Sequence, residues 1–470
     1  MRKKKILLII IVLLFVVHIP FLRNDFVWLD HVDIEGMHGV LPISHLPNAL
    51  VSRYGSTGFY RPMVTLLHSI DFAMFGLQPL GYHLTSILLH LGVSITGVLF
   101  LDRFFHFTKR EKYLSLLIIG LAPVSWSSVG LISNVSELTV LLFSLLCVYF
   151  YTRAKLLPMI VMGICALLSK ETALFWIPAL SLLWRQQNRL LLAVQLLTAL
   201  IYILIRSVLI PEVWRTLAVS LSLSQSIGTR FNALCALLLS VVSPLAAHFS
   251  DATLVVSLYY PGSLVFLLCV LGGIYVVYRF GLHSAWGKVI GLTAVFMLPA
   301  ANILPLPRFS SPNYGYALVI SLAAMAVLLT RQFHGKAVYV LLAMWLSIAA
   351  VETMQVGPRM RNDFTLFAPE VSANNAYREG HFYLGYYFYS HQNIAAATNE
   401  FELSLLKSPG VISFVDESAA RENLILTYSD RAQELYSQGK KDEAIELLMR
   451  MRLLLNPTQQ QKLDEFIKKI

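Results

Sequence analysis

The chain has 470 residues, is 56% hydrophobic and has only 14% charged residues, with a mean hydropathy of +0.64. That apolar excess excludes an ordinary water-soluble globule and indicates a polytopic membrane protein. The net charge of +10 does not indicate nucleic acid, because the basic residues are scattered through short connectors ("MRKKK", "HFTKREK", "TRAK", "RQQNR", "RQFHGK"), the pattern of cytoplasmic loops.

The opening run "MRKKKILLIIIVLLFVVHIPFL" has the charged start and apolar middle of a signal peptide. Its apolar stretch is long and no small-x-small cleavage site follows, so an uncleaved first helix with a cytoplasmic N-terminus is expected. Further apolar runs give about eleven crossings in all, over 6–22, 83–101, 112–124, 136–152, 157–168, 172–184, 190–209, 261–279, 286–303, 314–330 and 335–353. The run 231–247 is expected to dip into the membrane or lie at its interface. A crossing there would move "RFGLHSAWGK" and "RQFHGK" to the other side. This topology puts the long loop 23–82, the turn "APVSWSSVGLISNVSE", the "SKET" turn, the stretch 210–260, "NILPLPRFSSPNYGY" and the C-terminus outside. The four cysteines (Cys147, Cys165, Cys235, Cys269) lie in apolar runs without metal-type spacing and read as packing residues.

Beyond about residue 356 the composition turns polar. The chain therefore divides into a membrane domain, 1–355, and an extracytoplasmic helical domain, 356–470. In "HFYLGYYFYSHQNIAAATNEFELSLLKSP", Leu384, Gly385, Ala397, Phe401 and Pro409 stand at the offsets of a tetratricopeptide repeat. "GKKDEAIELLMRMRLLLNP" repeats the second half with Gly439, Ala444 and Pro457. Ser404 at a usual alanine and the late Pro457 are departures. Two degenerate repeats and a terminal helix give a short α-solenoid; a generic helical hairpin domain is the competing reading.

The candidate chemistry gathers on the outer side. "LDHVDIEG" follows the first crossing, and an aspartate there is placed to act as general base for an acceptor hydroxyl attacking a sugar. A lipid phosphate leaves without a protonating acid, so one base and a cationic clamp suffice. A solvated acidic loop is the alternative. Arg61, before Pro62, can touch a phosphate or orient Asp30, or simply anchor a turn. His83 and His90 lie seven apart on one helical face, a spacing that suits a polar lining or plain packing better than a metal site. Lys170 and Glu171 stand between two apolar runs, where ionisable groups are functional candidates. Lys170 can hold a phosphate oxygen or pair with an acid, and Glu137 begins a helix on the same side. Asn302, Arg308 and Tyr314 close the set, with Arg308 suited to bidentate phosphate binding or to a lipid headgroup.

Taken together, "FVWLDH…YRPMVTLLHSIDFAMFGLQPLGYHLTSILLH…APVSWSSVGLISNVSEL…LLSKETA…NILPLPR…YGY" resembles the GT-C membrane glycosyltransferases. Within them it is most like the branch with C-terminal tetratricopeptide repeats, the transmembrane O-mannosyltransferases and their bacterial relatives. "MRNDFTLFAPEVSANNAYREGHFYLGYY" continues the likeness into the repeats. The resemblance implies an all-α, polytopic, inverting glycosyltransferase (EC 2.4 class) that takes a sugar from a polyprenyl-phosphate carrier. It would pass the sugar to a protein, lipid or glycan acceptor outside the membrane. It puts the catalytic base on Asp30, with Asp33 as rival because Leu29 stands where relatives carry a second acid. Arg61, Lys170 and Arg308 become donor-phosphate residues, and His31, His83, Glu137, Glu171, Asn302 and Tyr314 supporting ones. Ala122–Pro123 replaces a His–Pro turn of relatives, so that histidine's role is absent here. No cofactor is implied, a divalent metal stays open, and the repeats offer a surface for a protein acceptor or partner. The competing functions are a lipid-linked-sugar transporter or flippase and a non-catalytic envelope scaffold.

Overall fold

Inside hydrocarbon a chain must satisfy its own amides, so apolar runs become helices. The computed structural model describes residues 2–55, 59–210, 221–243, 248–302, 308–333 and 335–468. It forms two compact units, Met1–His248 with Val256–Asn362, and Phe249–Val255 with Asp363–Ile470.

The first unit contains helices α1 (Arg2–His18), α2 (Pro62–Phe75), α3 (Pro79–Phe105), α4 (Lys109–Leu121), α5 (Trp126–Val129), α6 (Val135–Tyr151) and α7 (Leu156–Ser169). It continues with α8 (Ala173–Leu182), α9 (Arg189–Leu209), α10 (Leu223–Val242), α11 (Pro261–Phe280), α12 (Ala285–Met297), α13 (Leu318–Gln332) and α14 (Lys336–Arg359). Among the described residues seven helices are long and apolar enough to cross a membrane, or eight if α4 and the segment Pro123–Val129, bent by 48° from it, are one span.

Every one of the eleven runs read as crossings coincides with a helix. Five of them, α4, α7, α8, α12 and α13, have only 13, 14, 10, 13 and 15 residues, short of the roughly 20 that a straight crossing needs. The 231–247 run differs from expectation. Its helix begins earlier, at Leu223, because Ser222 and Gln225 form a capping box. With 20 residues it is long and apolar enough to span. It packs beside α11 and against the turns Pro123–Ser125, Pro299–Ala301 and Pro312–Gly315; residues 244–247 lie outside the described ones.

Hydrogen bonds tie the basic connectors together at one end of this unit. Arg331 grips Glu111 with two bonds of 2.7 and 2.9 Å and also donates to the Phe105 carbonyl. Lys288 donates to the Phe104 carbonyl at 2.9 Å, and Arg103 to that of Thr152 at 3.0 Å. Glu111 also closes a capping box with Thr108 at the start of α4. From this end α3 runs 27 residues, about 40 Å, back to the 23–61 segment. The buried faces of α3, α4, α6 and α13 meet between the two ends, with Phe100, Leu101, Ile119, Leu138, Leu145, Ile320 and Val327 in the core. That core fixes the frame on which the polar end is built.

The second unit is a succession of helices, α15 (Asp363–Ala373), α16 (Arg378–Ser390), α17 (Ile394–Leu405), α18 (Glu417–Ser437), α19 (Lys441–Arg452) and α20 (Pro457–Ile467), each packed on the next. Gly385 is needed for the α16–α17 contact, since a Cβ there would lie 2.8 Å from the Phe401 ring. Ala397, Phe401 and Ala444 are buried as the repeat offsets require. The unit starts at Asp363 rather than 356 and includes a piece of chain from between α10 and α11. Strand β1 (Thr253–Leu254) pairs antiparallel with β2 (Val411–Ile412). Asp251 accepts from the Ser413 hydroxyl at 3.1 Å and the Phe414 amide at 3.0 Å. A two-residue strand carries no periodicity, which is why this staple was not legible in the sequence.

Candidate functional site

After α1 the chain makes a 3-10 turn, Ile19–Arg23, and an extended stretch that buries Phe26, Val27 and Trp28. Trp28 sits at positive φ (57°), which turns the chain into a single π-helical turn, His31–Glu35. This short element sets the two acids apart. Asp30 precedes it and is fully buried. Its Oδ1 accepts from the Ser133 amide at 2.7 Å and its Oδ2 from the Val27 amide at 3.3 Å. The first bond fastens the loop to the turn before α6, and the second closes the loop on itself. Burial pushes its carboxyl up to about 7, against the pull of the Ser133 amide and then that of Val27.

Asp33 points elsewhere. It is 7% exposed and accepts a hydrogen bond from the Tyr54 hydroxyl, with the guanidinium groups of Arg61 and Arg308 acting on it. Burial raises its carboxyl to about 6, and Tyr54 first, then Arg61 and Arg308, oppose the rise. Of the two acids, the structure joins Asp33 to the cations and Asp30 to the backbone.

The cations come from three further segments. Arg61 is the residue before α2, which Pro62 starts; it lies 3.7 Å from Glu171 and 4.0 Å over the Phe59 ring. Lys170 ends α7 in an extended conformation and ion-pairs with Glu137 in the first turn of α6. Asn313 donates to the same Glu137 oxygen at 2.8 Å and is itself held by the Ser311 hydroxyl. Lys170 also lies 5.6 Å from the Tyr314 ring, the Tyr314 hydroxyl donates to the Arg308 carbonyl at 3.3 Å, and Arg308 stacks over Trp28 at 4.7 Å. Glu171 through Arg61, and Tyr314, Lys170 and Glu137 through Arg308, thus form one chain of contacts with the two arginines whose charges act on Asp33.

Other candidates have different work. His31 pairs with Glu35 at 2.5 Å, on the exposed side of the π turn. His83 is buried in α3 beside the backbone of Asn24 and Asp25, where it braces the loop. His90 does not line a site with it: the ring takes the Tyr316 hydroxyl at 2.7 Å and reaches the Gly120 carbonyl at 3.1 Å, tying α3 to α4 and the start of α13. Asn302, at positive φ (52°), donates to Phe309 and Ala300 carbonyls, shaping the loop to Arg308; residues 303–307 of "NILPLPR" lie outside the described ones. Among the described residues no three His, Cys, Asp or Glu side chains gather as a metal site would need.

Tyr54, Trp28 and Asn313 were not singled out from sequence. Each is an aromatic or amide in a loop, and only the fold gives it a charged partner.

No family model matches the chain, and no curated protein matches it in sequence. Among solved structures it is similar to ArnT from Cupriavidus metallidurans bound to undecaprenyl phosphate, with 16% identity, a TM-score of 0.47, and coverage of 95% of this chain and 75% of that one. A likeness this distant carries no residue's role across.

Proposed function

We propose that the chain is a membrane glycosyltransferase of the GT-C kind that moves a sugar from a polyprenyl-phosphate carrier to a hydroxyl acceptor on the extracytoplasmic side, with Asp33 rather than Asp30 as general base. The observation that carries this is that the charges of Arg61 and Arg308 act on the Asp33 carboxyl, set against the engagement of both Asp30 oxygens by backbone amides. In the reaction the acceptor oxygen attacks the anomeric carbon from the face opposite the phosphate, and Asp33 takes the acceptor's proton. The bond from the anomeric carbon to the phosphate oxygen breaks, its electron pair stays on the phosphate, and Arg61 and Arg308 receive that charge. The Lys170–Glu137 pair frames the clamp.

The helical second unit is the part of this chain we assign to a protein acceptor or partner.

The test presents membranes holding the chain with a panel of polyprenyl-phosphate-linked radiolabelled sugars. Label should leave the carrier for another product in the wild type and stay on it with Asp33→Asn. A panel in which no sugar leaves its carrier at a rate above chain-free membranes would defeat the reading.

A further inference from the structure

Arg308 stands on an irregular stretch that leads into a four-residue 3-10 turn, Pro312–Gly315, just before α13. A single turn of helix does not hold its own place, so its position depends on side-chain ties. Two consecutive carbonyls at the arginine are gripped, that of Arg308 by the Tyr314 hydroxyl at 3.3 Å and that of Phe309 by Asn302 Nδ2 at 2.5 Å. Asn313, next to Tyr314, is buried and reaches out of the turn to α6. There its Nδ2 donates to Glu137 Oε1 at 2.8 Å, across 176 positions of sequence. Its Oδ1 accepts from the Ser311 hydroxyl. A carboxylate offers no proton, so the amide sits only this way round. Lys170 pairs with the same Glu137 oxygen and lies 5.6 Å from the Tyr314 ring. One line of contacts therefore runs from α6 through Glu137 and Asn313 into the turn, and from the turn through Tyr314 to Arg308.

We propose that Asn313 is a positioning residue for Arg308, the mount that holds this arginine where the phosphate of a polyprenyl carrier arrives. The inference rests on the reading of Arg308 as a phosphate-binding group. A guanidinium meets a phosphate through two parallel N–H bonds, and a misplacement of about 1 Å is enough to spoil such an alignment. Asn313 and Tyr314 are neighbours in the chain, so slack at Asn313 reaches the Arg308 carbonyl through one residue and one hydrogen bond. Losing the amide leaves Glu137 its pair with Lys170, so α6 and α7 stay joined while the turn beside them loosens. The role is one of placement, with no proton or bond transferred. A tie that merely stabilised the membrane unit would act alike with and without a phosphate to bind, and that difference is measurable.

The test measures binding of radiolabelled polyprenyl phosphate, and of the matching polyprenol without the phosphate, to the full chain in nanodiscs. Asn313→Leu keeps the approximate size of the side chain and removes both of its hydrogen bonds. It should weaken polyprenyl-phosphate binding about tenfold and leave polyprenol binding unchanged. Tyr314→Phe loses only the hydroxyl on the Arg308 carbonyl and should weaken phosphate binding about threefold. Arg308→Met should weaken it at least as much as Asn313→Leu does. In the Arg308→Met background neither further change should matter by more than about twofold. Losses that recur in full in that background, or that extend to polyprenol, mark a structural tie only and overturn the proposal. Unchanged phosphate binding in folded Tyr314→Phe overturns it too, whether or not Asn313→Leu folds. If Arg308→Met binds polyprenyl phosphate as the wild type does, the arginine clamp itself is refuted and the positioning role goes with it. No sugar or acceptor enters the measurement, so a failure of the base assignment at Asp33 leaves its outcome untouched.

Discussion

Replacing each acid of the "LDHVD" stretch by its amide gives opposite outcomes if the two carboxylates have the jobs assigned here. Asn at position 30 keeps one oxygen for the Ser133 amide at 2.7 Å, but turns an NH₂ toward the Val27 amide at 3.3 Å. Two donors then face each other, and a charge-assisted bond to Ser133 becomes a neutral one. The cost is about 1–3 kcal/mol of stability, read as a thermal midpoint lowered by a few degrees. Folded Asp30→Asn protein should still transfer sugar to within about an order of magnitude of wild type, the loss that about 1.4 kcal/mol at the transition state would produce. Asp33→Asn removes the base itself and should cost roughly 10²–10⁴-fold in kcat, with little change in melting. The assay is release of polyprenyl phosphate from a sugar-loaded carrier in proteoliposomes, a full unit above the pH at which either acid titrates, with melting followed on the same preparations. An inactive but fully stable Asp30→Asn, beside an active Asp33→Asn, would refute the reasoning and return the base to Asp30.

Three further outcomes follow from the same geometry. Because burial holds the Asp33 carboxyl at about 6 and the base must be ionised, kcat/KM should be level above that pH and fall about tenfold per unit below it; a profile flat through pH 5 would remove Asp33 from the rate. Lys170→Met leaves the buried Glu137, whose side chain is 5% exposed, without its cation. It should destabilise the first unit by about 3–5 kcal/mol, while Lys170→Met with Glu137→Leu should recover most of that in thermal melts. Gly385→Ala sets a Cβ 2.8 Å from the Phe401 ring and should cost the second unit about 1–3 kcal/mol, visible as faster amide exchange in α16 and α17 with exchange in α3 and α6 unchanged.

What the sequence made legible is what hydrophobic pattern controls. All eleven runs of apolar residues fold as helices, and the Gly385, Ala397, Phe401 and Ala444 positions pack as small or buried residues should. Even the charged ends were readable, because "HFTKREK" and "RQFHGK" reach the same place through Arg331 and Glu111. The π turn was not. Whether Asp30 or Asp33 faces the cations depends on a positive-φ Trp28 and one π-helical turn, neither of which leaves a periodic trace in five residues. The strand pair of Thr253–Leu254 with Val411–Ile412 failed to show for a related reason. Its register is set by Asp251 reaching the Ser413–Phe414 backbone and hydroxyl, a contact across more than 160 residues that no local pattern encodes.

The charge balance of the cluster bears on how a base with a carboxyl near 6 can be strong when it is needed. Asp33, Glu137 and Glu171 stand against Arg61, Lys170 and Arg308, three acids and three cations. The cations are not held alike. Lys170 is locked to a glutamate that Asn313 also binds, whereas Arg61 lies 3.7 Å from its glutamate. On the proposed reading Arg61 and Arg308 receive the donor phosphate, and after Tyr54 they are the groups that oppose the rise of the Asp33 carboxyl. A bound donor phosphate spends their positive field on itself, so Asp33 becomes more basic only with the donor in place. On the proposed reading the carboxylate would be the weaker base without donor, and with donor bound it would be poised to take the acceptor's proton. Coupling through shared arginines needs no moving part, because one Coulomb field acts on both the phosphate and the acid.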